Sequence, residues 1–245
     1  MFHKAVDTIY TILSHLEINM HIGGLQKMTL LDFPEKVACT VFLQGCNFRC
    51  PFCHNSPLLS GIGQLSEDDF FAFLKKRQGL LDGVAITGGE PLLHNDIHSF
   101  IQNIKNFGYR IKLDTNGSFP HRLNNLLQSG LIDYIAMDIK NSPQKYDLTA
   151  GAKDTLPAIR ESVDILMSSG IPYEFRTTVV QELHEAEDFH AIGQWLKGAQ
   201  RYYLQCFEDS GNILSPGLHA PTKDQLEHYL AIAGSYITNT YLRGI

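Results

Sequence analysis

The chain has 245 residues, 44% of them apolar and 19% charged, so it can bury the core of an α/β domain and is too apolar for a disordered protein. Its formal net charge is −6 and it has no long run of Lys or Arg, which argues against a nucleic-acid-binding protein. It also has no stretch of about 18 apolar residues, so we expect no membrane-spanning helix.

The first 20 residues predict an amphipathic helix that precedes the main fold. Phe2, Val6 and Leu13 recur at helical spacing, and polar residues between them interrupt the continuous apolar core that a signal peptide needs. We therefore expect an N-terminal helical extension over residues 1–20 and one domain over residues 21–245. The expected location is the cytoplasm.

Short apolar runs then alternate with amphipathic stretches. The predicted strands are Val37–Leu43, Gly83–Thr87, Arg110–Thr115, Tyr134–Ile139, Tyr173–Val180 and Tyr202–Phe207. The predicted helices are Ser66–Gln78, Asp96–Phe107, Arg122–Gln128, Leu156–Met167, Ala186–Leu196 and Gln225–Ile232. Six strand–helix units predict a parallel sheet with helices outside it, as either an open doubly wound sheet or a curved, incomplete barrel.

A β-hairpin is predicted before the first unit. Its two segments are Ile22–Lys27 and Met28–Phe33, which lead to a turn at Pro34-Glu35. Both segments carry apolar residues, and the Pro-Glu pair suits a turn.

The most distinctive residues follow the predicted strands. Cys46 comes after the first strand and Gly88-Gly89-Glu90 after the second. Asp114-Thr115-Asn116-Gly117 lies at the end of the third, Asp138 and Lys140 lie at the end of the fourth, and Arg176 lies within the fifth. Because ligands of parallel α/β folds bind at the carboxyl ends of the strands, we expect these residues to converge on one mouth.

Three of the five cysteines lie within eight residues, a poor disulfide framework that indicates a metal instead. Thiolates at Cys46, Cys50 and Cys53 suit a soft metal or an iron–sulfur cluster. Cys39 and Cys206 lie inside strand runs, where we expect small buried side chains.

Three other interpretations of the cysteine loop remain open from the residues alone. Cys50 to His54 matches the CxxCH pattern of haem attachment, although this leaves Cys46 unexplained. A zinc site of three Cys and His54 is chemically reasonable, but the adjacent Cys53 makes shared tetrahedral ligation awkward. The thiols could also have no special role.

The CxxxCxxC spacing, with Phe52 before the last Cys, resembles the signature of the radical S-adenosylmethionine superfamily. The resemblance implies a partial (β/α)6 barrel of parallel strands with helices outside. It also implies a 4Fe-4S cluster on Cys46, Cys50 and Cys53, whose fourth iron chelates S-adenosylmethionine. In such enzymes Phe52 would pack near the adenine, and Gly88-Gly89-Glu90 would line the methionine amino group.

Further motifs resemble those of glycyl-radical-enzyme activating enzymes. They are Cys53-His54-Asn55, Leu113-Asp114-Thr115-Asn116-Gly117 and Met137-Asp138-Ile139-Lys140. The stretch from residue 23 to 55 is most similar to activating proteins of anaerobic ribonucleoside-triphosphate reductase. One departure is Phe207, which stands where some related activases carry a His near the adenine.

Residue roles follow from this narrower resemblance. Asp114, Thr115 and Asp138 match positions that hold the ribose region and a monovalent cation, whereas Lys140 and Arg176 match residues that face the methionine carboxylate. The alternatives are turn-initiating aspartates, a surface Lys140 and a structural ion pair at Arg176.

The function implied by the resemblance is reductive cleavage of S-adenosylmethionine to methionine and a 5′-deoxyadenosyl radical, with an electron from a donor such as reduced flavodoxin. The radical would take a hydrogen atom from a glycine of a partner glycyl radical enzyme, an anaerobic ribonucleotide reductase by the closest motif match. A radical enzyme acting on a small molecule and a zinc-stabilised binding protein are the alternatives.

Overall fold

The computed structural model describes residues 20–59, 61 and 65–244. The helix predicted over residues 1–20 therefore lies outside the described residues, apart from Met20. One sheet runs through the described chain, with its strands ordered β1 to β8 as in the sequence. The strands are β1 (Ile22–Thr29), β2 (Ala38–Leu43), β3 (Gly83–Gly88), β4 (Arg110–Thr115), β5 (Tyr134–Asp138), β6 (Tyr173–Val179), β7 (Tyr202–Cys206) and β8 (Thr240–Arg243).

Strand order decides between the two predicted architectures. All neighbouring strands from β2 to β8 pair in parallel. A doubly wound sheet would reverse its strand order at a switch point, whereas this order rises steadily from one edge to the other. In the described part of the chain, the two edge strands β1 and β8 do not pair with each other, so the sheet is a partial barrel, as expected.

The helices lie between successive parallel strands, as predicted. They are α1 (Glu67–Arg77), α2 (Ile97–Asn106), α3 (Pro120–Gln128), α4 (Tyr146–Ala150), α5 (Leu156–Ser168), α6 (Ala186–Trp195) and α7 (Lys223–Gly234). Ser66 caps α1 by accepting a hydrogen bond from the backbone nitrogen of Asp69 at 3.1 Å. Within the described residues, no helix has both the length and the apolar character needed to cross a bilayer.

The predicted N-terminal hairpin is wrong in its second strand. The antiparallel partner of β1 is β2, with Ile22 opposite Leu43 and Thr29 opposite Ala38. The hydroxyl of Thr29 accepts hydrogen bonds from the next backbone nitrogens, including that of Leu31 at 3.2 Å, and this turn ends the strand. The apolar pattern after Thr29 misled the prediction because Leu31 is exposed rather than buried.

Two short elements were missed by the sequence analysis. The helix α4 has five residues, and β8 has four residues with a mixed polar composition. Neither is long enough to show a clear hydrophobic period, so both depend on neighbours already in place. β8 pairs along β7 and extends the sheet by one parallel strand.

The two faces of the sheet differ in chemistry. Ile111 and Leu113 of β4 and Met137 of β5 are fully buried in the main hydrophobic core, which also contains the apolar side chains of the helices. The alternate residues of the same strands include Lys112 and Asp114, which lie on the opposite face. The polar inner face positions the candidate site.

Candidate functional site at the carboxyl ends of the strands

A cavity lies where the parallel strands end, and residues from five of them and from the loop after β2 line it. All the predicted site residues except Glu90 are among its lining: Cys46, Cys50, Phe52, Cys53, Gly88, Gly89, Asp114, Thr115, Asp138, Lys140 and Arg176. Residues separated by up to 130 positions in the chain therefore converge on one mouth, as the strand-end pattern predicted.

The cysteine loop after β2 is fixed by its backbone. The Arg49 nitrogen donates to the Ala150 carbonyl at 3.0 Å, and the Cys53 nitrogen donates to the Cys50 carbonyl at 3.1 Å. Gly151, with φ of 61°, lets α4 end directly against the loop, because a Cβ at this position would lie 2.1 Å from the Arg49 carbonyl oxygen. The short helix α4 thus supports the cysteine loop.

Burial governs the ionisation of the cysteine thiols. It raises the pKa of Cys50 to about 11, with Lys140 acting in the opposite direction, and it also raises the pKa of Cys46. Among the described residues, no group of three or more His, Cys, Asp or Glu side chains is arranged to hold a single metal ion. Cys46, Cys50 and Cys53 all line the cavity, and thiolates are the usual ligands of an iron–sulfur cluster.

The glycine pair at the end of β3 packs against the beginning of the cysteine loop. A Cβ on Gly89 would lie 1.9 Å from the Gly45 carbonyl oxygen, and one on Gly88 would lie 2.4 Å from that of Leu43. The Gly89 nitrogen also donates to the Leu43 carbonyl at 2.8 Å. No side chain fits at either position, so the glycines join β3 to the loop while their backbone lines the cavity.

Glu90 is fully buried behind the cavity wall. Its carboxylate accepts hydrogen bonds from the Thr115 hydroxyl at 2.7 Å, the Asn116 nitrogen at 2.6 Å and the Leu92 nitrogen at 2.9 Å. Burial raises its pKa to about 7, although these hydrogen bonds oppose the shift. Glu90 therefore links the end of β3 to the end of β4 instead of projecting into the cavity.

The opposite side of the cavity is a network of ion pairs. Arg176 donates from Nη1 to Asp114 at 3.0 Å and from Nε to Asp138 at 2.9 Å, and Lys140 donates to Asp138 at 3.0 Å. Lys112 forms a further ion pair with Asp114. The guanidinium of Arg176 therefore bridges the ends of β4 and β5.

This network sets the ionisation of its members. Burial would raise the pKa of Asp138, but Arg176 and Lys140 outweigh it and hold that pKa at about 2. The pKa of Asp114 is lowered against the effect of burial by Arg176 and Lys112. Both carboxylates are ionised at neutral pH. Lys140 lies within the network with its side chain 14% exposed, so it is not a solvated surface lysine, and Arg176 does form the structural ion pairs considered as its alternative role.

Aromatic rings form the remaining wall. Phe52 is buried, with the Lys140 ammonium 6.0 Å from the centre of its ring. Phe207 is also buried, and its ring centre lies 5.6 Å from that of His54, which lines the cavity. Phe207 therefore stands at the position where some related activases carry a His, and His54 lies between Phe207 and the cavity.

Asn116 was named only as a motif residue with no role of its own, and Lys112 was not predicted at all as part of the site. The Asn116 side chain donates to Asn47 at 3.0 Å and lies 3.8 Å from the Cys46 sulfur. Lys112 could have been found from the strict alternation of polar and apolar residues in β4, which places it on the same face as Asp114.

The family model of the Radical SAM superfamily matches residues 40–196, a segment that contains the cysteine loop and the strand ends as far as Arg176. The chain belongs to the radical SAM superfamily. Membership implies a 4Fe-4S cluster and S-adenosylmethionine as cofactors, and it makes the chain a radical SAM enzyme. The three cavity thiols fit the cluster, since each can supply one thiolate to one iron.

Similar proteins agree with this family. A Methanocaldococcus jannaschii protein named as a glycyl-radical enzyme activating enzyme is 29% identical over 91% of this chain and 96% of its own length. The GTP 3′,8-cyclase of Campylobacter fetus is 25% identical over 74% of this chain and 58% of the cyclase. SuiB of Streptococcus suis, solved with S-adenosylmethionine, shares the fold with a TM-score of 0.65 and 15% identity, covering 81% of this radical SAM chain and 48% of SuiB.

Proposed function

We propose that this radical SAM enzyme activates a glycyl radical enzyme, and that its partner is an anaerobic ribonucleoside-triphosphate reductase. The observation that carries the proposal is the near-full-length similarity to the M. jannaschii protein, which extends well beyond the cysteine loop. The narrower choice of partner rests on the motif resemblance of residues 23–55.

In this proposal the cavity residues divide the work of binding. Cys46, Cys50 and Cys53 hold the cluster, and Lys140 and Arg176 face the methionine carboxylate, to which cationic side chains make strong charge-assisted hydrogen bonds. When bound, the cluster supplies the electron that cleaves S-adenosylmethionine to methionine and a 5′-deoxyadenosyl radical. The other residues need only position the cofactor and exclude water.

The glycine motif acts through its backbone in this proposal. The methionine amino group lies against the cavity-lining backbone of Gly88 and Gly89, while Glu90 supports it from behind through Thr115 and Asn116. Asp114, Thr115 and Asp138 line the region next to the ribose, and Phe52 and His54 form the wall beside the adenine.

Two experiments test the proposal: reduction of the reconstituted cluster, and then formation of a glycyl radical on the partner. The protein is reconstituted with iron and sulfide without oxygen and reduced by dithionite or reduced flavodoxin, the donor that we propose. Expected results are a reducible cluster whose electron spin resonance changes with S-adenosylmethionine, release of 5′-deoxyadenosine, and a glycyl radical on added reductase. Cys50→Ala serves as the control without a complete cluster. A colourless protein with one zinc and no iron would overturn the catalytic assignment.

A radical SAM enzyme acting on a small molecule is the second candidate, favoured by the similarity to the C. fetus GTP 3′,8-cyclase. Small-molecule members of the superfamily often carry further cysteines after the cluster motif, whereas here Cys206 alone follows it. Incubation of the reduced enzyme with GTP separates the two. Consumption of GTP with no radical on the reductase would replace the first proposal with the second.

A further inference from the structure

Lys112 is a buried lysine at the charged side of the cavity, and the residues predicted for the site did not include it. Lys112 and Asp114 lie two residues apart on one face of β4, with side chains 3% and 14% exposed, and they form an ion pair. Arg176 donates to the other oxygen of Asp114 at 3.0 Å. Both oxygens of the Asp114 carboxylate therefore have a cationic partner.

Both oxygens of the Asp138 carboxylate also have cationic partners. Its Oδ1 receives Arg176 through Nε at 2.9 Å and through Nη2 at 2.8 Å, and its Oδ2 receives Lys140 at 3.0 Å. Every carboxylate oxygen of the two aspartates is thus already paired with a nitrogen cation of the protein.

The charges of this network do not cancel. Lys112, Lys140 and Arg176 carry three positive charges, and the two aspartates carry two negative charges, which leaves a surplus of one positive charge. Other acidic groups nearby bind elsewhere: Glu174 pairs with Arg243 at 3.1 Å, and Glu90 accepts hydrogen bonds from neutral groups. Among these five groups, therefore, one positive charge has no carboxylate of its own.

The residues present do not fit the monovalent cation that the family resemblance implied. A hard cation needs several oxygen ligands, but those of Asp114 and Asp138 already accept from ammonium and guanidinium groups. A further cation would also be repelled by the surplus positive charge at short range in a partly buried site. A carboxylate, in contrast, would be attracted.

We propose that Lys112 is a built-in counter-cation for Asp114, and that this enzyme binds S-adenosylmethionine without a monovalent metal ion. The inference rests on the proposed function in one respect, namely that the methionine carboxylate binds at Lys140 and Arg176. The ammonium of Lys112 holds Asp114 in place. The surplus positive charge then remains on Arg176 and Lys140, where it attracts the methionine carboxylate.

Equilibrium dialysis of S-adenosylmethionine against the reconstituted, unreduced enzyme tests the proposal. Affinity is measured at constant ionic strength in potassium, sodium or choline chloride, since choline is too large to replace a bound metal ion. For the wild-type protein we expect dissociation constants that agree within about twofold in the three salts. For Lys112→Met we expect binding weakened about tenfold in choline and largely restored by potassium or sodium.

Two variants serve as controls. Lys112→Arg keeps the charge and is expected to bind equally in all three salts. Lys105→Met removes a lysine that pairs with Asp133 at 2.9 Å outside the cavity and should create no ion requirement. Wild-type binding that is more than about fivefold stronger in potassium or sodium than in choline would overturn the proposal, even if Lys112→Met fails to fold.

The outcome is independent of the partner enzyme, because binding is measured without it. A wrong choice of reductase leaves these results unchanged. A wild-type protein that binds S-adenosylmethionine in none of the salts would overturn the assignment of the cavity and this proposal with it.

Discussion

The cysteine side of the cavity and its charged side are held in place by different forces. On the cysteine side, backbone hydrogen bonds fix the loop, while burial makes ionisation of Cys46 and Cys50 unfavourable. On the charged side, Arg176 bridges two aspartates, so the ionised groups neutralise one another within the protein. The cysteine side therefore requires a bound metal to stabilise its thiolates, whereas the ion pairs of the charged side form before any ligand binds.

Removal of one thiolate should have the largest effect. Cys50→Ala is expected to abolish cluster assembly and cleavage of S-adenosylmethionine while the chain still folds, because the loop is held by its backbone. Iron content, absorption and 5′-deoxyadenosine release are the measurements. Cys206→Ala, a change of a thiol in β7 away from the cavity lining, should retain iron. Full activity of the Cys50 variant would contradict the site assignment.

Replacement of Arg176, which bridges Asp114 and Asp138, tests whether the charged side is assembled before a ligand binds. Arg176→Met leaves Asp114, whose side chain is 14% exposed, and Asp138, whose side chain is 32% exposed, next to each other with less compensation, so we expect a loss of about 3 kcal/mol in the free energy of unfolding. Urea denaturation of the metal-free protein measures it. The matched change Arg110→Met removes a guanidinium that is 60% exposed and should cost less than about 0.5 kcal/mol. Equal stability of the two variants would show that the network is not a source of rigidity.

The support of the cysteine loop by α4 is tested with a pair of glycines. Gly151→Ala should destabilise the fold by about 3 kcal/mol, since the new methyl group meets the Arg49 carbonyl in addition to the cost of positive φ. Gly79→Ala has the same sign of φ but open space around it, and should cost about 1 kcal/mol. If the two substitutions cost the same, the contact between α4 and the loop does not stabilise the site.

Glu90 gives the smallest expected effect, and it depends on pH. Its pKa is raised from 4.5 in the unfolded chain to about 7 in the fold, so the folded state keeps the proton longer. Stability from this group is present below about pH 4.5 and is lost as the pH rises towards 7, by about 2 kcal/mol. Thermal unfolding of wild type and Glu90→Gln between these pH values should show this fall in the wild type alone. Parallel curves would mean that Glu90 is already ionised throughout the range.

Much of the architecture was accessible from local sequence patterns. The strands β2 to β7 and the six longer helices appear where runs of apolar residues and their periods predicted them, because each element is long enough to show its own period. The cysteine spacing was equally informative, since three ligands within eight residues need no distant contact to be recognised. The segment Met28–Phe33 failed because an apolar run does not reveal whether it will be covered.

By itself, the sequence determined the family, the alternation of elements and the residues at the strand ends, because all of these are properties of short stretches of chain. The tertiary structure alone decided that Glu90 turns away from the cavity, that His54 stands in front of Phe207, and that Lys112 neutralises Asp114. Such contacts depend on which strands are neighbours and on their register. Asp114 and Arg176, for example, are 62 residues apart and meet only because β4, β5 and β6 pair in order.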